Sequence, residues 1–294
     1  MHPSDGAHFI TVIRIPRRLE NAAFHWMTAA CVWAAGFRGA AAAFEELAPD
    51  ARTAAMGAAF IASRGPGSAL LNPAGIGEPA SASVCFSSAV PFGLGELAVH
   101  SCCASVPSRL GSLGLALSTC GLSPYRENTV AAAWSVRFEG LILAGIALRG
   151  LNLRIDRFGS WTGVALDAAA RISLGDRWTF GFSGTDLNQA RVEKRSPVPQ
   201  VTRVGFVHVP AKGVSLAAEI EKDFRYPAGF RGGFEWIPFP GFALRSGFSR
   251  APAQFACGFG IAWNGFGLDY ACTVHPVLGS THQATIRFDP SARK

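Results

Sequence analysis

Residues 254–274 read QFACGFGIAWNGFGLDYACTV, and large apolar side chains alternate with small or polar ones along most of this stretch. In its first half one face carries Phe255, Cys257, Phe259, Ile261 and Trp263, and the other carries Ala256, Gly258 and Gly260. Alternation with a period of two is the signal of a half-buried strand, and Asn264-Gly265 is a strong signal of a two-residue hairpin turn. The stretch therefore predicts two antiparallel strands with one apolar face.

The same pattern recurs along the chain from residue 80 to residue 289. About fourteen candidate strands fit a period of two: 81–90, 96–104, 111–119, 129–138, 141–154, 161–173, 177–186, 201–209, 213–222, 229–236, 242–249, 254–263, 266–274 and 282–289. Most have about the ten residues that a tilted strand needs to cross a bilayer. Tight turns such as Glu139-Gly140 alternate with longer connections such as 187–200. This alternation is typical of bacterial outer-membrane barrels.

Composition favours a membrane barrel over a soluble domain. The chain has 294 residues, of which 49% are hydrophobic and only 16% charged, and its mean hydropathy is +0.23. Its longest apolar runs, 27–37 and 141–148, are too short for a spanning helix, which needs about 20 residues. We therefore predict an all-β fold, an antiparallel transmembrane β-barrel of about fourteen strands with a small N-terminal plug. Five tryptophans near predicted strand ends suit interfacial aromatic girdles: Trp134, Trp161, Trp178, Trp236 and Trp263.

Charged residues on the small-residue faces predict a polar lumen. The predicted set is Glu219, Glu221, Arg231, Glu235, Arg245, Asp269 and Arg287. Because buried charges need partners, we expect a network that links the last strands and holds the plug. The alternative is a solvated polar lumen without specific pairing. The net charge of +7 is spread along the chain without a basic patch, which argues against nucleic-acid binding.

The N-terminal residues 1–43 have the features of a signal peptide. Arg14, Arg17 and Arg18 precede the apolar run 27–37, and the small residues 40–43 offer a cleavage site. A lipoprotein signal ending at Cys31 and a cytosolic helix are the alternatives. The predicted organisation is a signal peptide at 1–43, a plug at 44–79, a barrel at 80–289 and a tail at 290–294, in a protein exported to the outer membrane.

Residues 51–77, ARTAAMGAAFIASRGPGSALLNPAGIG, predict the plug. The small residues of the first half allow close backbone packing. Pro73 removes a backbone donor and drives Asn72 out of the helical region, and Asn72 can close a turn with its own side chain. The predicted plug and gating residues are Met56, Gly57, Phe60, Asn72, Pro73, Ala74 and Gly75.

Two motifs resemble the FadL/PorV superfamily of outer-membrane barrels. Residues 55–59 and 72–75 are similar to its N-terminal Gly-Met-Gly and Asn-Pro-Ala-Gly motifs, and residues 267–271 with 278–283 resemble the closing hairpin of PorV-type members. Ala55 replaces the usual glycine, and residues 289–294 follow the aromatic on which such barrels commonly end. FadL-like members imply passive uptake of long-chain fatty acids or other hydrophobic small molecules past a plug that shifts. PorV-like members imply a scaffold partner of a protein-secretion system, and a structural outer-membrane protein is the third alternative.

The sequence offers little catalytic or metal-binding chemistry. It has seven cysteines but no Cys-x-x-Cys, and no histidine at metal-ligand spacing. A disulfide is an option for an exported chain, but its pairing cannot be deduced from the sequence. No Gly-x-Ser-x-Gly motif is present, and the shared loop of His275 and Ser280 is weak support for a lipase. We predict no enzyme activity, no catalytic residue, no metal and no cofactor. The expected partners are outer-membrane lipid and a hydrophobic ligand, with protein partners left open.

Overall fold

The computed structural model describes residues 43–78, 81–193 and 196–290. Apart from Ala43, the predicted signal peptide lies outside the described residues, as do residues 291–294 of the predicted tail. Fourteen antiparallel strands close into one barrel in which each strand pairs with its neighbours along the chain. The first and last of these strands also pair, with Phe86 opposite Ile286, and this pairing closes the ring.

The barrel strands are β1 Ser83–Val90, β2 Val99–Ser108, β3 Gly111–Cys120, β4 Tyr125–Phe138, β5 Ile142–Ile155, β6 Gly159–Leu174, β7 Trp178–Thr185, β10 Val201–Ala211, β11 Val214–Asp223, β12 Gly229–Phe239, β13 Phe242–Arg250, β14 Gln254–Trp263, β15 Phe266–His275 and β16 Gly279–Phe288. The connection between β7 and β10 contains a small hairpin of β8 Arg191–Glu193 and β9 Ser196–Pro197. One short helix, α1 Ala51–Ala55, precedes the barrel. The 3-10 turns are Phe60–Ala62, Pro66–Leu70, Pro73–Gly77, Pro91–Gly93 and Gly95–Leu97.

The predicted fold class and strand number are confirmed. Each predicted strand overlaps an observed one, and the largest differences are four residues, at the end of β2 and at the start of β4. β2 begins at Val99 rather than residue 96, because residues 91–97 form two 3-10 turns and Phe92 has a positive φ of 56°. The β8–β9 hairpin was predicted as loop, since strands this short have too few residues to show alternation.

The side chains of the wall sort by size and polarity between its two surfaces. Phe255 and Trp263 are 69% and 79% exposed on the outer surface, whereas Arg245 and Asp269 are 6% and 2% exposed inside. The predicted faces of the last strands are thus the observed ones. Among the described residues, no helix is long and apolar enough to cross a membrane.

The tryptophans divide differently from the prediction. Four lie on the outer surface towards the tight-turn end of the barrel: Trp134, Trp178, Trp236 and Trp263. Trp161 instead packs against an interior cluster that includes Phe44 and Leu151, so its assignment to an outer girdle was wrong. The reason is position parity, because Trp161 shares the inward face of β6 with Ala165.

One part of the wall is completed by a side chain instead of a strand. β6 has 16 residues and β7 only 8, so the first half of β6 extends beyond its partner β7. There the side-chain amide of Asn188 accepts the Leu166 N–H at 2.8 Å and donates to the Val164 carbonyl at 2.7 Å. The Asn188 side chain therefore replaces one residue of a missing strand.

Candidate functional site: the lumen and its N-terminal segment

Residues 43–78, here called the luminal segment, lie inside the barrel. The helix α1 begins after Asp50, whose carboxylate accepts the Thr53 N–H at 2.7 Å, a standard N-cap bond. The Ala51 N–H donates to Thr285 Oγ1 on β16 at 2.8 Å. α1 packs against strands β13 to β16. The cap thus starts the helix and also orients it against the wall.

The three 3-10 turns that follow α1 reach the remaining strands. The turn Phe60–Ala62 contacts β7, β10 and β11, the turn Pro66–Leu70 contacts β1 to β4, and the turn Pro73–Gly77 contacts β3 to β6. Met56 and Ile76 are each 1% exposed. Because the segment contacts strands all around the ring, it fills the middle of the lumen.

Glycines on the inward face of the wall make room for this segment. A Cβ atom added to Gly247 would lie 2.1 Å from the backbone nitrogen of Gly57, and one added to Gly145 would lie 2.4 Å from that of Ala74. A third inward glycine, Gly233, would place its Cβ 2.6 Å from the Met56 carbonyl oxygen. These distances are far shorter than van der Waals contact, so at these three positions the backbone of the segment fits against the wall because the wall residue has no side chain.

The predicted plug residues form two contact regions of the luminal segment. Met56 and Phe60 belong to one buried apolar cluster, which also includes Ile61. Asn72 is fully buried, and its side-chain amide donates to the Phe60 carbonyl at 3.2 Å. The structure therefore links the two halves of the segment through Asn72.

One detail of the predicted corner was wrong. The Asn72 side chain does not close its own turn, because it reaches across to Phe60 instead. The Asn72 backbone carbonyl closes the turn by accepting the Gly75 N–H at 2.8 Å. Pro73 and Ala74 begin the 3-10 turn and lie against Gly145 of β5.

The charged residues of the lumen form two clusters. In the first cluster Arg245 pairs with both Glu235 and Asp269 at 2.7 Å, and Arg287 pairs with Asp269 at 3.3 Å. Arg52 of α1 pairs with Glu235 at 2.8 Å. This first cluster therefore joins the luminal segment to four strands of the wall, β12, β13, β15 and β16.

The second cluster lies on β10, β11 and β12. Arg203 and Arg231 both pair with Glu221, at 2.7 and 2.8 Å, and both lie within 4.0 Å of Glu219. Glu46 of the luminal segment also pairs with Arg203. Glu219 accepts the Ile61 N–H at 3.4 Å. The second cluster thus contacts the segment at Glu46 and at Ile61.

All seven charges chosen from the sequence belong to these two clusters. The sequence reasoning missed Glu46, Arg52 and Arg203, and it missed the buried pair of Arg149 with Asp167, whose closest atoms are 2.6 Å apart. A signal for the wall residues was present, because they fall on the inward face once the alternation of β5, β6 and β10 is followed. The segment residues had no such signal, since they lie outside any alternating strand.

Further polar groups of the wall bind the backbone of the segment. The donors and their acceptor carbonyls are Arg231 to Ala58 at 3.1 Å, Arg171 to Ser63 at 3.0 Å, Ser135 to Ala74 at 3.3 Å, Arg137 to Gly77 at 3.1 Å and Gln283 to Ala48 at 3.0 Å. The segment lacks a sheet ladder to the wall, so these single bonds and the ion pairs are its polar attachments, beside the apolar clusters that it shares with the wall.

Two cavities lie on opposite sides of the segment. A cavity of about 690 Å³, here called the vestibule, opens at the end with the longer connections, where Phe92, Tyr226 and Leu278 line it. Arg225 at its rim pairs with Asp223 at 2.7 Å, and this hydrogen bond raises the pKa of Arg225. A smaller cavity of about 300 Å³ lies at the tight-turn end beside Gly77 and Arg137. Within the described residues no group of three or more His, Cys, Asp or Glu side chains could hold a metal ion.

The fold is similar to that of several solved proteins. The Ralstonia pickettii toluene transporter TbuX matches with a TM-score of 0.64 and 12% identity, over 81% of this chain and 97% of that chain. A deletion mutant of the TodX monoaromatic hydrocarbon channel matches with a TM-score of 0.60 and 10% identity, over 83% of this chain and 98% of that chain. A Pseudomonas aeruginosa FadL homologue matches with a TM-score of 0.57 and 10% identity, over 82% of this chain and 98% of that chain. No family model and no curated protein matches the chain.

Proposed function

We propose that this protein is an outer-membrane channel for the passive diffusion of hydrophobic small molecules. The observation that carries the proposal is a luminal segment placed between two cavities in a closed fourteen-stranded barrel. The names of the solved channels with this fold, a toluene transporter and a monoaromatic hydrocarbon channel, support the same solute class.

The outer surface supports a location in lipid. Large apolar side chains such as Phe255 and Ile286 face outward, whereas the charges of the two clusters face inward. A charge at the lipid midplane costs about 2–4 kcal/mol, so this arrangement stabilises the barrel in a bilayer. The proposal includes export by the signal peptide at residues 1–43, with residues 44–79 acting as the plug, residues 80–289 as the barrel and residues 290–294 as a tail.

The proposed mechanism is displacement of the luminal segment without energy coupling. A solute that enters the vestibule meets apolar and aromatic groups such as Phe92 and Leu278, and then the segment. The proposed gating residues are Met56, Gly57, Phe60, Asn72, Pro73, Ala74 and Gly75. The cluster charges act as latches, because each contact they make with the segment can break without unpairing a strand.

Long-chain fatty acids are one proposed solute and monoaromatic hydrocarbons are another. The test uses cells that lack their own fatty-acid channel and compares uptake of labelled oleate with uptake of labelled toluene. The proposal expects at least one solute to enter faster than in empty-vector cells with equal outer-membrane content. Uptake of both at the empty-vector rate, together with specific capture of a secretion-system protein, would favour the PorV-like scaffold role instead.

A further inference from the structure

Two pairs of cysteines in the barrel wall lie directly opposite each other on neighbouring strands, Cys257 with Cys272 on the outer side and Cys85 with Cys103 on the inner side. Cys85 of β1 lies directly opposite Cys103 of β2 in the antiparallel register. Residues directly opposite each other in such a pair have Cα atoms about 4.5–5.5 Å apart. Disulfides span Cα distances of about 4.4–6.8 Å. The register therefore places this pair within the range of a disulfide.

The other cysteines near this position are excluded either by the face or by the strand pair on which they lie. Cys85 and Cys103 both face inward and belong to one buried cluster, being 4% and 1% exposed. Cys102 is next to Cys103 in the chain but lies on the outer face, where Phe86 is its opposite residue. Cys120 lies opposite Glu127, on strands that do not contain Cys85. Cys85 is therefore paired in space with Cys103 alone among these three.

We propose that Cys85 and Cys103 are joined by a disulfide in the exported protein. Each thiol loses a proton and one Sγ–Sγ bond forms, and the two electrons pass to the disulfide of a dithiol-type protein oxidant, which becomes a dithiol. Such oxidants act in the bacterial periplasm. This inference goes beyond the proposed transport function, since it requires exposure to an oxidising compartment and no solute.

The luminal segment covers the pair and so sets the order of events. Ala69 and Ile76 are part of the same buried cluster, and Leu70 packs against it. A protein oxidant cannot reach buried thiols, so the bond forms before the segment docks. Once formed, the bond links β1 to β2 at the position that the luminal segment covers.

The test is peptide mapping of the full chain purified from outer membranes. Free thiols are blocked in denaturant without reductant, the protein is digested, and linked peptides are identified by mass spectrometry. The expected result is a peptide joining Cys85 to Cys103 that disappears after reduction. Fractionation of the same cells tests the outer-membrane location separately, so failure of one claim is distinguishable from failure of the other.

Matched serine variants test the pairing. The variants Cys102→Ser and Cys120→Ser are expected to retain the linked peptide in full, whereas Cys85→Ser is expected to leave Cys103 free to react. Alkylation of both Cys85 and Cys103 in the wild-type chain without reductant would overturn the proposal. A linked peptide that joins Cys85 to Cys102 or Cys120 would overturn it as well.

Discussion

Arg52 and Glu235 form a two-bond ion pair across the lumen, with Nη2 2.8 Å from Oε1 and Nε 3.0 Å from Oε2. Arg52 belongs to α1 and Glu235 to β12, and the same carboxylate accepts from Arg245 Nε at 2.7 Å. One buried carboxylate is therefore shared by one arginine of the segment and one arginine of the wall. Bidentate arginine–carboxylate pairs are both strong and directional, so this contact fixes the position of α1.

Removal of this carboxylate is expected to loosen the segment. Glu235→Ala leaves Arg52 and Arg245 close together without their shared partner, and breaking a buried pair in this way costs about 3–5 kcal/mol. We expect a lower thermal midpoint and a larger conductance in planar bilayers. Asp156→Ala is the control, because Asp156 pairs with Arg154 at 3.8 Å and both side chains are well exposed. Identical conductance in wild type and Glu235→Ala would contradict the latch role.

The close contact between inward glycines and the luminal segment can be tested within a single strand. Gly145→Ala would place a Cβ 2.4 Å from Ala74 N, whereas Gly150→Ala on the same strand would meet only Val130 O at 3.9 Å. We expect Gly145→Ala to displace the segment while the barrel still closes, and Gly150→Ala to behave like wild type. The measurement is limited trypsin cleavage between residues 52 and 78, with heat-modifiable gel migration as the check on the barrel. Equal protection of the segment in both variants would show that the wall tolerates a side chain at residue 145.

The amide of Asn188 offers a test of the wall itself. Asn188→Ala leaves the Leu166 N–H and the Val164 carbonyl without these partners, and a hydrogen bond of this type contributes about 0.5–1.5 kcal/mol. Asn188→Asp retains the acceptor for Leu166 and loses only the donor to Val164. We therefore expect urea denaturation midpoints in the order wild type, Asn188→Asp, Asn188→Ala. Three coincident midpoints would mean that solvent or lipid headgroups satisfy this edge.

Phe44 anchors the start of the luminal segment in an apolar cluster. It packs with Leu151, Ala165 and Val198, and Trp161 lies against the same cluster. Phe44→Ala removes a buried ring, a change that typically costs about 3–5 kcal/mol in a core. We expect a red shift of the Trp161 fluorescence, obtained as the difference between the spectrum with Trp161 and the spectrum of the matching Trp161→Phe variant. Leu47→Ala is the control, since Leu47 is exposed in the vestibule. An unchanged Trp161 spectrum in Phe44→Ala would show that the Phe44 ring does not pack in the cluster beside Trp161.

The barrel could be predicted from the sequence because the alternation that marks each strand is a local signal. Alternation around Asn264-Gly265 defines two strands without reference to any other part of the chain, and the inward charges such as Arg245 follow from the same alternation. The luminal segment is different, because its partners are far away in sequence. Arg52 meets Glu235 across 183 residues, and no periodicity marks that pairing. For the same reason a pairing of Cys85 with Cys103 could be proposed only once the register of β1 and β2 was known.

A double-label uptake assay tests the central claim most directly. Cells that lack their own hydrophobic-solute channels receive labelled toluene and a labelled small sugar together, and initial rates are compared with those of empty-vector cells. A barrel sealed to water by its luminal segment and opened by apolar solutes predicts faster toluene entry with no change in sugar entry. Toluene entry at the empty-vector rate, or an equal rise for both solutes, would contradict the account.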